Sequence, residues 1–157
     1  SSFDAHPGGL LLDNCRLLDG ESGYVEKGAV VLKEGKVAYA GPRAGTPAAL
    51  SGAARRLDVG GLVVIPGFVQ THVHLCQTLF RNFADDLELL DWLKHRIWPF
   101  EAAHTEKSLY ASARLGIAEL LAGGTTTILD MGTVRHTNAI FSAAKEMGLR
   151  LIIGGYF

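Results

Sequence analysis

The chain has 157 residues, 48% of them apolar and 20% charged, with a formal net charge of −1 at neutral pH. That balance suits a folded globular chain large enough to bury a core, and it argues against nucleic acid or an anionic membrane surface as partner. No apolar run approaches the ~18 residues of a bilayer span, and Ser1 to Gly9 lacks the basic-then-apolar order of a secretory signal. Two distant cysteines, Cys15 and Cys76, read as free thiols in a reducing cytoplasm.

Residues 10–59 read as short strands. Leu10 to Leu18 is the first, closed by a turn at Asp19-Gly20, and Gly28 to Leu32 is the second. Lys33-Glu34-Gly35-Lys36 predicts a tight hairpin, because Gly35 supplies the positive φ such turns need. Val37 to Ala40 follows, then a Gly/Pro/Ala-rich connection over 41–52 and another strand at Arg55 to Val59. The period then changes. Leu62 to His74 reads as a buried strand with an interruption at Pro66-Gly67. Leu87 to Trp98 places apolar residues at 87, 89, 90, 93 and 97, as an amphipathic helix does. Thr105 predicts the N-cap of a second helix over 109–121 that stops at Gly123-Gly124. Thr125 to Leu129 is a β-branched strand, Thr137 to Met147 a helix closed by Gly148, and Leu149 to Ile153 a third strand. Strands alternating with helices predict βαβ units and a parallel sheet. Three strands are too few to close an eight-stranded barrel, which takes roughly 250 residues.

The chemistry concentrates at His72 and His74. Side chains alternate along a strand, so both imidazoles leave the same face of one rigid backbone. Two neutral imidazoles aimed at one point are half of a transition-metal site. The plainer alternative is a pair of packed histidines satisfied by backbone groups. The C-terminal end of a parallel strand, where α/β enzymes build their sites, favours the metal.

Ile65-Pro66-Gly67-Phe68-Val69-Gln70-Thr71-His72-Val73-His74 resembles the first barrel strand of the amidohydrolase superfamily. Leu79 to Leu87, Asp91-Trp92-Leu93, Ile97 to Glu101 and Gly123 to Thr127 are similar to its aminohydrolase branch, which acts on purines, adenosine derivatives and triazines. The resemblance runs from about Leu10 to the end. It implies an α/β fold: the N-terminal part of a (β/α)8 metal-dependent hydrolase barrel, preceded by part of a small β-sandwich. Residues 1–61 would belong to the sandwich, and 62–157 to the first three barrel strands and their helices. It also implies one divalent metal, zinc or in some members iron, held by His72 and His74. A third His, an Asp and the groups that activate water would lie further along a complete barrel, so no catalytic residue is assigned in this chain.

The resemblance further implies substrate contacts. A Gln three residues after the His pair, here Gln77, contacts a purine ring in guanine-deaminase-like members. A Trp and a Glu nine residues apart, here Trp92 and Glu101, meet the nucleoside and its ribose hydroxyls in members acting on adenosyl compounds. Each has a plainer reading: Gln77 and Glu101 as solvated polar groups, Trp92 as helix packing. Cys76 is not a ligand in the family. Asp130 reads as a loop cap or as a partner of a metal-bound His, and Arg81 as a steering or merely solvated charge. His95 and His104 read as surface residues, and His136 as a loop residue on the active-site side.

Two functions follow. The first is a deaminase, hydrolysing a carbon–nitrogen bond on a heterocyclic small molecule such as a purine, nucleoside or triazine. It would be cytoplasmic, complete only with the remainder of the barrel, and homo-oligomeric at full length, with neither nucleic acid nor membrane as partner. The alternative is a non-catalytic truncated or split chain that serves as a structural or interaction module.

Overall fold

A computed structural model describes residues 8–21, 23–83 and 86–154. The opening segment considered as a possible signal, up to residue 7, lies outside these. The chain forms two compact units, 1–66 and 67–157.

The first unit is a five-stranded sheet. β1 (Leu10–Asp19), β2 (Gly23–Lys33) and β3 (Lys36–Pro42) form an antiparallel meander, while β4 (Arg55–Asp58) and β5 (Val63–Val64) run parallel to β1. The β2–β3 hairpin turns on Glu34 and Gly35, both at positive φ, the backbone that matches the strand twist. The 41–52 connection is more ordered than composition predicts, since Ala48–Ser51 forms a short helix, α1. Both faces of the sheet are covered. Leu11, Ala29 and Val31 pack on one side with Tyr39 and Leu50; Cys15, Leu17 and Val30 pack on the other with Val25 and Val64. Strict alternation would leave Leu11, Cys15 and Leu17 on one face. A bulge between Leu12 and Cys15, with Asn14 at φ 56°, flips β1 between the two cores.

The second unit is a parallel sheet in the order β6 (Phe68–Val73), β7 (Thr125–Asp130), β8 (Arg150–Ile153). α4 (Glu106–Ala122) joins β6 to β7, and α5 (Thr137–Met147) joins β7 to β8. Thr105 caps α4 in a reciprocal box with Ser108. The core is one stripe from each helix against the strands: Leu109, Ala113 and Ile117 from α4, Ile140 and Ala143 from α5, with Leu75 and Ile128.

Two expected elements differ. The run Leu62 to His74 is not one buried strand. Val63–Val64 pairs with β1 in the first sheet, and only Phe68–Val73 enters the second. Pro66 has no N–H for a ladder. Gly67 cannot carry a side chain, because a Cβ there would come within 2.2 Å of Thr126 Oγ1. β6 is a sheet edge among the described residues, so Phe68 and Val69 are 53% and 65% exposed. The Leu87–Trp98 segment is also not one amphipathic helix. α2 (Leu89–Trp92) passes through a π-helical turn at Leu93–Ile97 into α3 (Trp98–Ala102). Pro99 gives the reason, since it has no N–H and its ring opposes the carbonyl four residues back. Leu89 and Leu90 lie exposed, and Ile97 alone of the five apolar positions is buried.

Candidate metal centre and substrate contacts

His72 lies in β6 and His74 immediately after it. Their Nε2 atoms are 3.2 Å apart and the rings meet edge-on at 64°. Tetrahedral coordination with ordinary zinc–nitrogen bonds sets two ligand nitrogens about 3.3–3.4 Å apart. The pair therefore already has the spacing that one shared cation requires, and two imidazole nitrogens suit zinc or iron.

A 3₁₀ segment, Leu75–Phe80, follows directly and carries Cys76 and Gln77. It is anchored on several sides. Asp130, fully buried at the end of β7, accepts from the Leu75 N–H at 2.8 Å and the Gly132 N–H at 2.7 Å. Ser112 Oγ on α4 donates to the Leu75 carbonyl at 2.8 Å, and His104 Nε2 donates to the Cys76 carbonyl at 2.8 Å. Burial raises the Asp130 carboxyl above its ordinary range, and the two N–H donors and nearby His74 pull it back. Asp130 is thus the expected loop cap, tying the ends of β6 and β7 together.

Glu101, at the end of α3, is turned inward and is 7% exposed. Gln77 Nε2 donates to its Oε1 at 2.9 Å, and the Cys76 thiol lies 3.4 Å from the same oxygen. The thiol also faces the Gly132 carbonyl at 3.5 Å. His74, Cys76 and Glu101 bring one donor atom each within 4.8 Å of one another. Cys76 is nevertheless a poor ligand. Burial, reinforced by the Glu101 charge, pushes its thiol far above the ordinary range, so it stays protonated and donates. Trp92 is half-buried on α2 and joins none of these hydrogen bonds.

His104 is a correction. Its expected surface position is wrong: it is 8% exposed, stacked on Phe80 at 5.0 Å, with Nδ1 2.9 Å from Ser108 Oγ. The Cys76 carbonyl can only accept, which fixes the proton on Nε2. No periodicity marks this residue; the nearest signal is its place between Glu101 and the Thr105 cap. His95 is exposed, as expected, and His136, between β7 and α5, is exposed as well. Arg81 forms a two-pronged ion pair with Glu119 at 2.8 Å on the surface, so its charge is engaged. A groove of about 520 Å³ touches His74 and Gln77, but neither His72 nor Glu101 lines it; it runs between the open edge of β6 and α4.

The amidohydrolase family model matches residues 63–157. The chain belongs to the amidohydrolase family. Among relatives of this amidohydrolase, a 5-methylthioadenosine/S-adenosylhomocysteine deaminase of Symbiobacterium thermophilum is 43% identical over 136 residues, covering 87% of this chain and 30% of the relative. A 5′-deoxyadenosine deaminase of Methanosarcina mazei is 40% identical over 143 residues, covering 90% and 32%. The solved structure of a zinc-bound adenosine deaminase from Xanthomonas campestris superposes with a TM-score of 0.72 at 26% identity, over 92% of this chain and 33% of that one. The amidohydrolase chain thus spans about a third of the length of these relatives, and its second unit is a three-stranded portion of their (β/α)8 barrel.

Proposed function

We propose that this chain is one portion of a longer, divalent-metal-dependent deaminase that acts on an adenosine derivative. The observation carrying the reading is the 3.2 Å convergence of the His72 and His74 Nε2 atoms at the end of a parallel strand, with the inward carboxylate of Glu101 close by. His72 and His74 would hold the metal, which supplies Lewis acidity and makes water nucleophilic near neutral pH. Zinc is preferred over iron on the strength of the zinc-bound adenosine deaminase.

The chain's own groups do the rest that can be assigned. Asp130 holds the strand-end backbone so that His74 keeps its direction. Gln77 and Glu101 offer polar atoms to the substrate, the amide oxygen suiting a ring N–H and the carboxylate a hydroxyl. Trp92 offers a flat face for the base. The preference for an adenosine derivative over guanine or a triazine rests on the adenosine-derivative deaminases to which the chain is 40–43% identical. Two free, buried cysteines suit a cytoplasmic location, and among the described residues no helix is long and apolar enough to cross a membrane.

Metal content of the full-length protein tests the reading. The His72→Ala/His74→Ala double variant is expected to lose its stoichiometric divalent metal and, with it, ammonia release from adenosine derivatives. Full metal retained in the double variant would overturn the assignment.

A further inference from the structure

Glu101 receives both of its hydrogen bonds on one oxygen. Gln77 and Cys76 approach Oε1 from consecutive positions of the same 3₁₀ segment. Among the described residues no donor reaches Oε2. Nor is that atom sealed in: Thr133 Oγ1 alone is both shut from solvent and unbonded among the described side chains. One edge of the carboxylate is therefore pinned and the other left open, in a side chain that brings an oxygen within 4.8 Å of a His74 ring nitrogen.

We propose that Cys76 and Gln77 are positioning residues that pin Glu101 Oε1, so that Oε2 is presented as the acceptor for the hydroxyl groups of the substrate. The proposal rests on the deaminase reading above and deepens it. The rigidity comes from the segment itself, which Asp130, Ser112 and His104 hold by its backbone. A carboxylate free to rotate would spend part of its time with neither oxygen toward the substrate, and binding would lose the ordering that preorganisation supplies. A thiol suits the fully buried position of Cys76, being small, largely apolar and still a donor. A serine hydroxyl donates best at a shorter distance than 3.4 Å, so it replaces the thiol only in part.

The test uses the full-length protein that contains this chain, with adenosine and 2′,3′-dideoxyadenosine as paired substrates. Cys76→Ala is expected to raise KM for adenosine about tenfold, with a smaller change in kcat. KM for the dideoxy compound should stay within about twofold. Cys76→Ser should recover part of the loss, and metal content should not change. Equal losses on both substrates, or none on either, would overturn the proposal. Wild-type ammonia release is measured first, and its absence counts against the deaminase reading alone. The contact is then decided by the infrared S–H stretch of Cys76, isolated as the difference between wild type and Cys76→Ser. Glu101→Ala should move that band to higher frequency; an unmoved band overturns the pinning whatever the activity.

Discussion

Asp130 does more for the site than any residue that points into it. Its two oxygens occupy two N–H groups on different loops, and all three partners are buried. Asp130→Ala would strand both donors, at about 1–3 kcal/mol each, a large share of an ordinary domain's 5–15 kcal/mol. We expect a clear drop in the urea midpoint with an unchanged slope; a loss below about 0.5 kcal/mol would show that water replaces the carboxylate. At this scale the sequence was readable where geometry is local. Two residues apart on a strand means one face, which is enough to foresee that His72 and His74 converge. Nothing local joins Gln77 to Glu101 across 24 positions, or brings His104 under the Cys76 carbonyl, because those contacts exist only after the 3₁₀ segment has packed against α3 and α4. The same gap explains why His104 reads as a surface residue until its surroundings are known.

Among the elements, β6 is the most constrained and the least covered. Its start is fixed by Gly67, whose missing side chain lets the strand lie against Thr126. Gly67→Ala would drive a methyl group into that side chain and force the strand outward, costing about 1–3 kcal/mol. Thr126→Ala in the same protein should return part of this, because two of the three clashing atoms lie beyond Thr126 Cβ. Thermal unfolding of the single and double variants measures both effects, and additive losses would show that the two positions do not meet. Most elements could be read from period and caps: α5 spans Thr137–Met147 as expected, and β7 and β8 fall within a residue or so of expectation. The failures share one cause. Val63–Val64 and Phe68–Val69 are equally apolar, and a hydrophobic run does not say which neighbour it will pair with. Pro99 lies just beyond the segment read as a helix, and a proline by itself does not tell that a π-helical turn will precede it.

For the molecule as a whole, the parallel sheet ends in two open edges among the described residues, and Leu89, Leu90, Val69 and Ile152 all lie well exposed. Unpaired strand edges and apolar patches are templates for association. Expressed by itself, this chain is expected to self-associate on size-exclusion chromatography and to release no ammonia from adenosine, since it offers a cation two histidines and few further donors. A stable monomer with ordinary deaminase rates would refute the view that its chemistry is shared with further barrel strands. The family and the fold of the second unit could be read from the ordered set of short segments between Ile65 and Thr127. The substrate could not, because it is chosen by side chains that meet from many strands.

The bulge at Asn14 gives β1 a built-in phase correction. One strand thereby serves two cores, with Leu11 in the first and Cys15 and Leu17 in the second. Length at this point matters more than identity. Loss of Asn14 would only remove the extra residue and restore plain alternation, leaving Cys15 opposite Gly28 and on the face of Leu12 and Val30; one further residue is what would reverse the facing of everything downstream, turning Cys15 and Leu17 outward and the guanidinium of Arg16 toward Val30 and Val64. A substitution or deletion at position 14 leaves the downstream facing as it is; an insertion there exchanges the face turned to the second core for the face turned away from it.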